Sequence, residues 1–198
     1  MATQGFATRR RAALFDALLE LILREGFAHL SIGSIAAELR CSKSTLYTLA
    51  ASKEQLVTAT VTHFFRSATE QVESRVAASS SPRERVIVYL VAVGEALAPA
   101  SEAFMRDLDA FEPARALYER NTAAASSRVQ ALIADGVSAG EFRNVDAAFA
   151  ADLASSMMSR IQRREVWAAT GLDDAAAYRQ LASILTAGID AGPDARGG

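Results

Sequence analysis

Helix periodicity fills this sequence from near its start, and no convincing run of alternating apolar and polar residues competes with it. Leu14, Leu18, Leu21 and Ile22 recur at the spacing of one buried helical face, and Gly26 follows where a left-handed stop is natural. The first helix is therefore expected from near Arg9 to Gly26. A short second helix follows, with Ile32, Ile35, Ala36 and Leu39 inward and Ser31 or Ser34 as its cap. Arg40 and Cys41 form the break. Ser42 opens a third helix with Leu46 and Leu49 toward the core, and Ser52 caps a fourth that runs toward Val76. Ser81 and Pro82 mark a clear boundary, an N-cap followed by the first helical position. Further helices are predicted at about 82–97, 101–111, 113–136, 146–168 and 173–190, and the tail from about 191 to 198 is expected to be disordered.

Composition narrows the function classes. With 51% hydrophobic and 22% charged residues, the chain of 198 residues reads as a globular protein with a proper core. It has no apolar run long enough to span a membrane. The opening "MATQGFATRRRAALF" lacks an unbroken apolar core followed by a cleavage site, so no secretory signal is expected. A single cysteine, Cys41, forms no internal disulfide and suits the reducing cytoplasm. His29, His63 and Cys41 have no zinc-ligand spacing, and the two histidines read as structural or surface residues. Charge is uneven along the chain. From Arg9 to Arg66 there are eight basic and five acidic residues, against thirteen basic and eighteen acidic in the rest. A mildly basic head on an acidic body points the head toward a polyanion.

The head also has a suitable shape. Two short helices joined by a tight turn, after a longer first helix, form a helix-turn-helix, whose last helix enters the DNA major groove. Its outer face needs short donors and acceptors, and Ser42, Lys43, Ser44, Thr45, Tyr47 and Thr48 supply them. Leu46 and Leu49 hold the helix to its own domain. Phosphate contacts position such a helix and base contacts specify the site, so the polar residues are expected to divide these roles.

"SIGSIAAELRCSKSTLYTLAASKEQL", Ser31 to Leu56, resembles the DNA-binding signature of the TetR family of bacterial transcriptional regulators. The preceding "RRRAALFDALLELILREGFAHLS" resembles that family's first helix, and "GEFRNVD" a loop before its last two helices. In register are Ile35-Ala36, Ser42, Thr45-Leu46-Tyr47 and Ser52-Lys53-Glu54. The resemblance implies that Thr45 and Tyr47 contact phosphates, and that Lys53 contacts the backbone beside its helix's first amides. It implies base-edge roles for Ser42, Lys43, Ser44 and Thr48, with Ser34 and Arg9 to Arg11 flanking the groove. Three positions depart from the family pattern. Arg40 stands where Gly is usual in the turn, and Leu49 and Ala50 stand where two aromatics are common. These read as tuning the operator or its affinity.

A head of this size contacts few base pairs, so useful affinity calls for two heads. Phe149, Leu153, Met157 and Ile161 make one stripe, and Tyr178, Leu181, Leu185 and Ile189 another. By periodicity alone both stripes fit a core equally well. The resemblance implies a homodimer through the last two helices, with Leu153, Met157, Ile161, Leu181 and Leu185 at the interface. It also implies a pocket for a small-molecule effector in the middle helices. Tyr89, Phe104, Phe111, Tyr118 and Trp167, with Met105, are the wall residues on offer, and Arg106, Asp107 or Arg163 the polar handles; each alone fits a core position as readily. No catalytic set, phosphate loop, metal cluster or cofactor motif emerges, so an enzyme is not expected.

The expectation is an all-α chain of about nine helices. Residues 1–54 form a three-helix DNA-binding head, and 55–198 a larger ligand-binding and dimerisation body. It is expected to be a cytoplasmic, ligand-responsive regulator, most simply a repressor, on a palindromic double-stranded operator. The alternative is a helical ligand-binding bundle whose head has weakened or lost DNA binding, a reading supported only by Arg40, Leu49 and Ala50.

Overall fold

The computed structural model describes residues 2–191, with side chains from Arg11 onward. Among the described residues the chain is all helical. In order come α1 (Ala2–Glu25), α2 (Ile32–Glu38), α3 (Lys43–Tyr47), α4 (Lys53–Ala77), α5 (Pro82–Leu97), α6 (Glu102–Ala110), α7 (Glu112–Ser138), α8 (Ala147–Gln162), α9 (Glu165–Thr170) and α10 (Asp174–Ile189). The only extended pairing among these residues is an isolated antiparallel bridge between Phe142 and Asp190. No single described helix is long and apolar enough to cross a membrane.

Local chemistry sets most helix starts. Ser31, Ser42, Ser81, Ser101, Asp146 and Asp173 each stand in extended backbone before a helix and accept from the amide three residues on. Pro82 occupies the first position of α5, where its missing N–H is no loss. Gly26, at φ +78°, ends α1.

Among the described residues ten helices replace the expected nine, because the span at 146–168 is interrupted. Arg164 holds a left-handed φ of +62° between α8 and α9. Neither Gly nor Pro marks the break, so periodicity ran through it. Its geometry is held by an ion pair from Arg164 to Asp174 at 2.7 Å and by the buried side chain of Val166. The tail expected to be disordered lies outside the described residues, apart from Ala191, whose amide donates to the Glu141 carbonyl at 3.2 Å.

The chain divides into two compact units. One holds the residues up to Arg66 together with Pro99–Tyr118. Its core joins Leu18, Leu21 and Ile22 of α1, Ile35 and Leu46 of the short helices, Leu56, Val57 and Val61 of α4, and Phe104 and Leu108 of α6. Four aromatic rings interlock edge to face here. Phe27 meets Phe104 at 6.2 Å and Phe111 at 5.9 Å, and Phe64 meets Phe104 at 5.8 Å between ring centres. Fully burying a ring such as Phe104 contributes roughly 1.5–3 kcal/mol.

The second unit holds Ser67–Ala98 and the residues from Glu119 onward. Its core runs through Val86, Tyr89 and Leu90 of α5, Val129, Leu132 and Ile133 of α7, Ala154, Met158 and Ile161 of α8, and Tyr178, Ala182 and Leu185 of α10. Two close approaches fix this packing. A Cβ on Gly94 would stand 2.7 Å from the Tyr178 ring, and one on Gly136 would stand 2.2 Å from the Phe142 ring.

Candidate nucleic-acid interface

The α2–turn–α3 segment is built almost entirely from local hydrogen bonds. Ser31 and Ser34 cap α2 reciprocally: Ser31 Oγ accepts from the Ser34 amide at 3.0 Å, and Ser34 Oγ accepts from the Ser31 amide at 2.8 Å. At the other end of α2 the Arg40 amide donates to the Ala37 carbonyl at 3.1 Å, and the Cys41 amide to Ala36 at 2.9 Å. This pair of bonds is the Schellman closure, and it places Arg40 at φ +49°. The turn is thus left-handed at the position where the sequence departs from glycine.

Ser42 then organises α3. Its Oγ accepts from the Thr45 amide at 3.1 Å and lies 2.8 Å from Ser44 Oγ and 2.7 Å from Thr45 Oγ1. Thr48 Oγ1 donates to the Thr45 carbonyl at 2.6 Å. Leu46 is the buried anchor of this five-residue helix, while Leu49 is half-buried. Lys43, Ser44, Tyr47 and Thr48 are exposed and share one face, with Tyr47 showing 52% of its surface. The Lys43 stem lies over the start of α2, where a Cβ on Gly33 would stand 3.2 Å from Lys43 Cε.

At the head of α4, Ser52 Oγ accepts from the Gln55 amide at 3.2 Å, and Lys53 Nζ donates to the Ala28 carbonyl at 3.0 Å. The exposed face therefore gathers Lys43, Ser44, Tyr47 and Thr48. Ser34, Ser42 and Thr45 have hydroxyls engaged in caps, and Lys53 is tied to the loop after α1. Arg11 is exposed on α1, and the side chains of Arg9 and Arg10 lie outside the described residues.

From the sequence alone Asp107 is a candidate polar handle for a ligand. In the structure it is buried on α6, and its Oδ2 accepts from the Phe27 amide at 2.6 Å and the Ala28 amide at 2.7 Å. The Ser101 amide just before α6 donates to the Leu23 carbonyl at 2.9 Å. No local pattern could have disclosed a contact between residues some eighty positions apart.

The five residues considered for a ligand wall are divided between the two units. Phe104, Phe111 and Tyr118 lie in the first unit, Tyr89 and Trp167 in the second. Phe104 is fully buried among the interlocked rings. Tyr118 packs on Phe65 at 6.0 Å. Tyr89 is buried near the Glu73–Arg128 ion pair, and burial pushes its phenol up to about 12. Trp167 is exposed on α9, and Arg163 pairs with Glu165 at 2.8 Å. The first unit has an open groove of about 660 Å³ along Phe15, Glu54, Thr58, Thr62, His63 and Arg66. A smaller concavity of about 280 Å³ is lined by Phe27, Ala28, Lys53, Val57, Asp107 and Phe111, among others. Of the five, only Phe111 borders either.

The residues expected at a dimer interface also divide. Leu153 is exposed, and Met157 and Leu181 are half-buried. Ile161 and Leu185 belong to the core of their own unit, each exposing 6% or less. Phe149 and Ile184, exposed by 71% and 69%, are the larger apolar surfaces on α8 and α10.

Comparison with known proteins bears on this geometry. Residues 14–60 match the model of bacterial regulatory proteins of the tetR family. No curated protein matches the chain by sequence. Among solved structures, a transcriptional regulator from Saccharomonospora viridis in complex with choline is 18% identical, with a TM-score of 0.77, over 92% of this chain and 98% of that one. A TetR transcription regulator from Haloarcula marismortui is also 18% identical, with a TM-score of 0.76, over 92% and 99%. A TetR-family regulator from Thermus thermophilus gives 18% and 0.69, over 88% and 97%. Residues 14–60, which contain the helix-turn-helix, thus match the tetR family model, and the chain around them has a fold like that of solved TetR-family transcriptional regulators.

Proposed function

We propose that the chain is a ligand-responsive transcriptional regulator that binds a palindromic DNA operator as a homodimer and acts as a repressor. The observation that carries this reading is the face of α3, where Lys43, Ser44, Tyr47 and Thr48 stand exposed above the buried anchor Leu46. Residues 1–54 act as the head and 55–198 as the body. Lys43, Ser44 and Thr48 read base edges from the major groove. Tyr47 grips phosphate, joined by Lys53 through the two ammonium hydrogens that Ala28 leaves unused. Ser34, Ser42 and Thr45 shape the helix starts and meet the DNA at the edge of this face.

The body brings two heads together through α8 and α10 and receives a small-molecule effector. The choline bound by the Saccharomonospora viridis neighbour supports an effector of that size class. Such a molecule shifts the equilibrium only if it binds the DNA-free arrangement more tightly than the DNA-bound one.

The test is duplex binding across a range of salt. Tyr47→Ala and Lys53→Ala are expected to weaken binding to every sequence, and Lys53→Ala, which removes a cation, also to lower the salt slope by about one unit. Lys43→Ala and Thr48→Ala are expected to change the sequences recovered from a random-duplex selection. Full affinity in both of the first pair, with an unchanged slope in Lys53→Ala, would refute the docking, and an unchanged preference would remove the second pair from base readout.

A further inference from the structure

We infer that Asp107, carried on α6 far from the helix-turn-helix in sequence, is a positioning residue for DNA binding that acts through Lys53. This rests on the docking proposed above, in which Lys53 meets the DNA backbone. The geometry is a three-part relay within one compact unit. Asp107 Oδ2 gathers two consecutive amides, Phe27 at 2.6 Å and Ala28 at 2.7 Å. Ala28 is thereby held on its donor side, and its own carbonyl accepts from Lys53 Nζ at 3.0 Å. Asp107, Ala28 and Lys53 all border the same concavity of about 280 Å³.

Several features separate this relay from ordinary loop packing. The carboxylate is buried, so its two charge-assisted bonds are shielded from competing water. The loop is shaped around it: a Cβ on Gly26 would stand 2.5 Å from Asp107 Oδ2, and Gly26 already holds φ +78°. Lys53 sits in the first turn of α4, and its flexible stem would otherwise sample many rotamers. Tying one ammonium hydrogen to Ala28 orders the stem before DNA arrives and leaves two donors for a phosphate. Such preorganisation lowers the ordering cost of binding. Through Asp107, a displacement of α6 changes the position of a phosphate-binding ammonium without moving α3.

The experiment is a double-mutant cycle on the full chain. Its probe is the tightest duplex recovered by the wild-type protein from a random pool, with affinity followed from low to high salt. Asp107→Ala and Lys53→Met are each expected to weaken binding about tenfold and to lower the salt slope by about one unit. The double variant is expected to match Lys53→Met within about twofold. Asp107→Asn keeps a carbonyl oxygen for both amides and is expected to restore the slope. If Asp107→Ala does not fold, Asp107→Glu, one methylene longer, replaces it in the cycle with the same expectations. Additive losses in the double variant, or an unchanged slope in the Asp107 variant beside a working Lys53 effect, would overturn the relay alone. A Lys53→Met protein with wild-type affinity and slope would overturn the docking and the relay with it.

Discussion

Arg40 holds φ at +49° in the turn between α2 and α3, a conformation that costs a side chain with a Cβ on the order of 1 kcal/mol more than glycine. The side chain is exposed, so little packing is lost when it is removed. Arg40→Gly is therefore expected to stabilise the protein by about 0.5–1 kcal/mol, less whatever freedom glycine adds to the unfolded chain. A urea midpoint that stays the same or falls would mean that the guanidinium supplies compensating contacts. Gly26 is the opposite case, with both φ +78° and the Asp107 carboxylate standing where a methyl group would go. Gly26→Ala is expected to cost roughly 2–4 kcal/mol, the sum of backbone strain and a loosened buried carboxylate. In an Asp107→Ala background its cost should shrink, and an equal cost in thermal melts of both backgrounds would argue against the close approach. Arg40 was legible in the sequence because turn chemistry is local. Asp107 was not, because its partners are set by the packing of α6 and by nothing within reach along the chain.

At the scale of single elements, α3 is the weakest and the most dependent on its cap. Five residues fall well short of the length at which an isolated helix holds in water, so Leu46 and the Ser42 cap must maintain it. Ser42 Oγ meets the Thr45 amide and two further hydroxyls, which makes one atom the hub of the segment. Ser42→Ala is expected to cost about 1 kcal/mol and to speed amide exchange at Thr45 and Leu46 about fivefold. Unchanged exchange would show that Leu46 alone suffices. The cap was readable from the sequence, as were the starts at Ser31, Ser81 and Asp173, since each needs only a short polar side chain and a following amide. The break at Arg164 was not readable. Its left-handed backbone rests on the ion pair to Asp174 and the burial of Val166, both tertiary, and no punctuating residue announces it.

For the whole molecule, the family match stops at residue 60 while the fold likeness extends over some nine-tenths of the chain. This difference has a physical origin. A recognition head constrains residue types at fixed positions, whereas a helical body needs only apolar stripes of suitable volume. Stripes also conceal which positions face outward. Leu153 and Ile161 share one stripe of α8, yet the first exposes 54% of its surface and the second 1%. On α10, Leu185 is buried while its neighbour Ile184 is exposed by 69%. Helices α8 and α10 pack against each other, and the large apolar side chains they leave exposed, Phe149, Leu153 and Ile184, are what a second copy would cover. Two groups of variants should therefore behave differently. Leu153→Glu with Ile184→Glu is expected to leave the helical content intact and to convert a dimer into a monomer in sedimentation at micromolar concentration. Ile161→Ala and Leu185→Ala are each expected to cost about 2–5 kcal/mol of stability through the cavities they leave, while the folded fraction at high concentration keeps the dimer mass. A wild-type chain that sediments as a monomer would refute the dimer, and a doubly charged variant that keeps the dimer mass would place the contact elsewhere; either result leaves those exposed side chains without a covering partner.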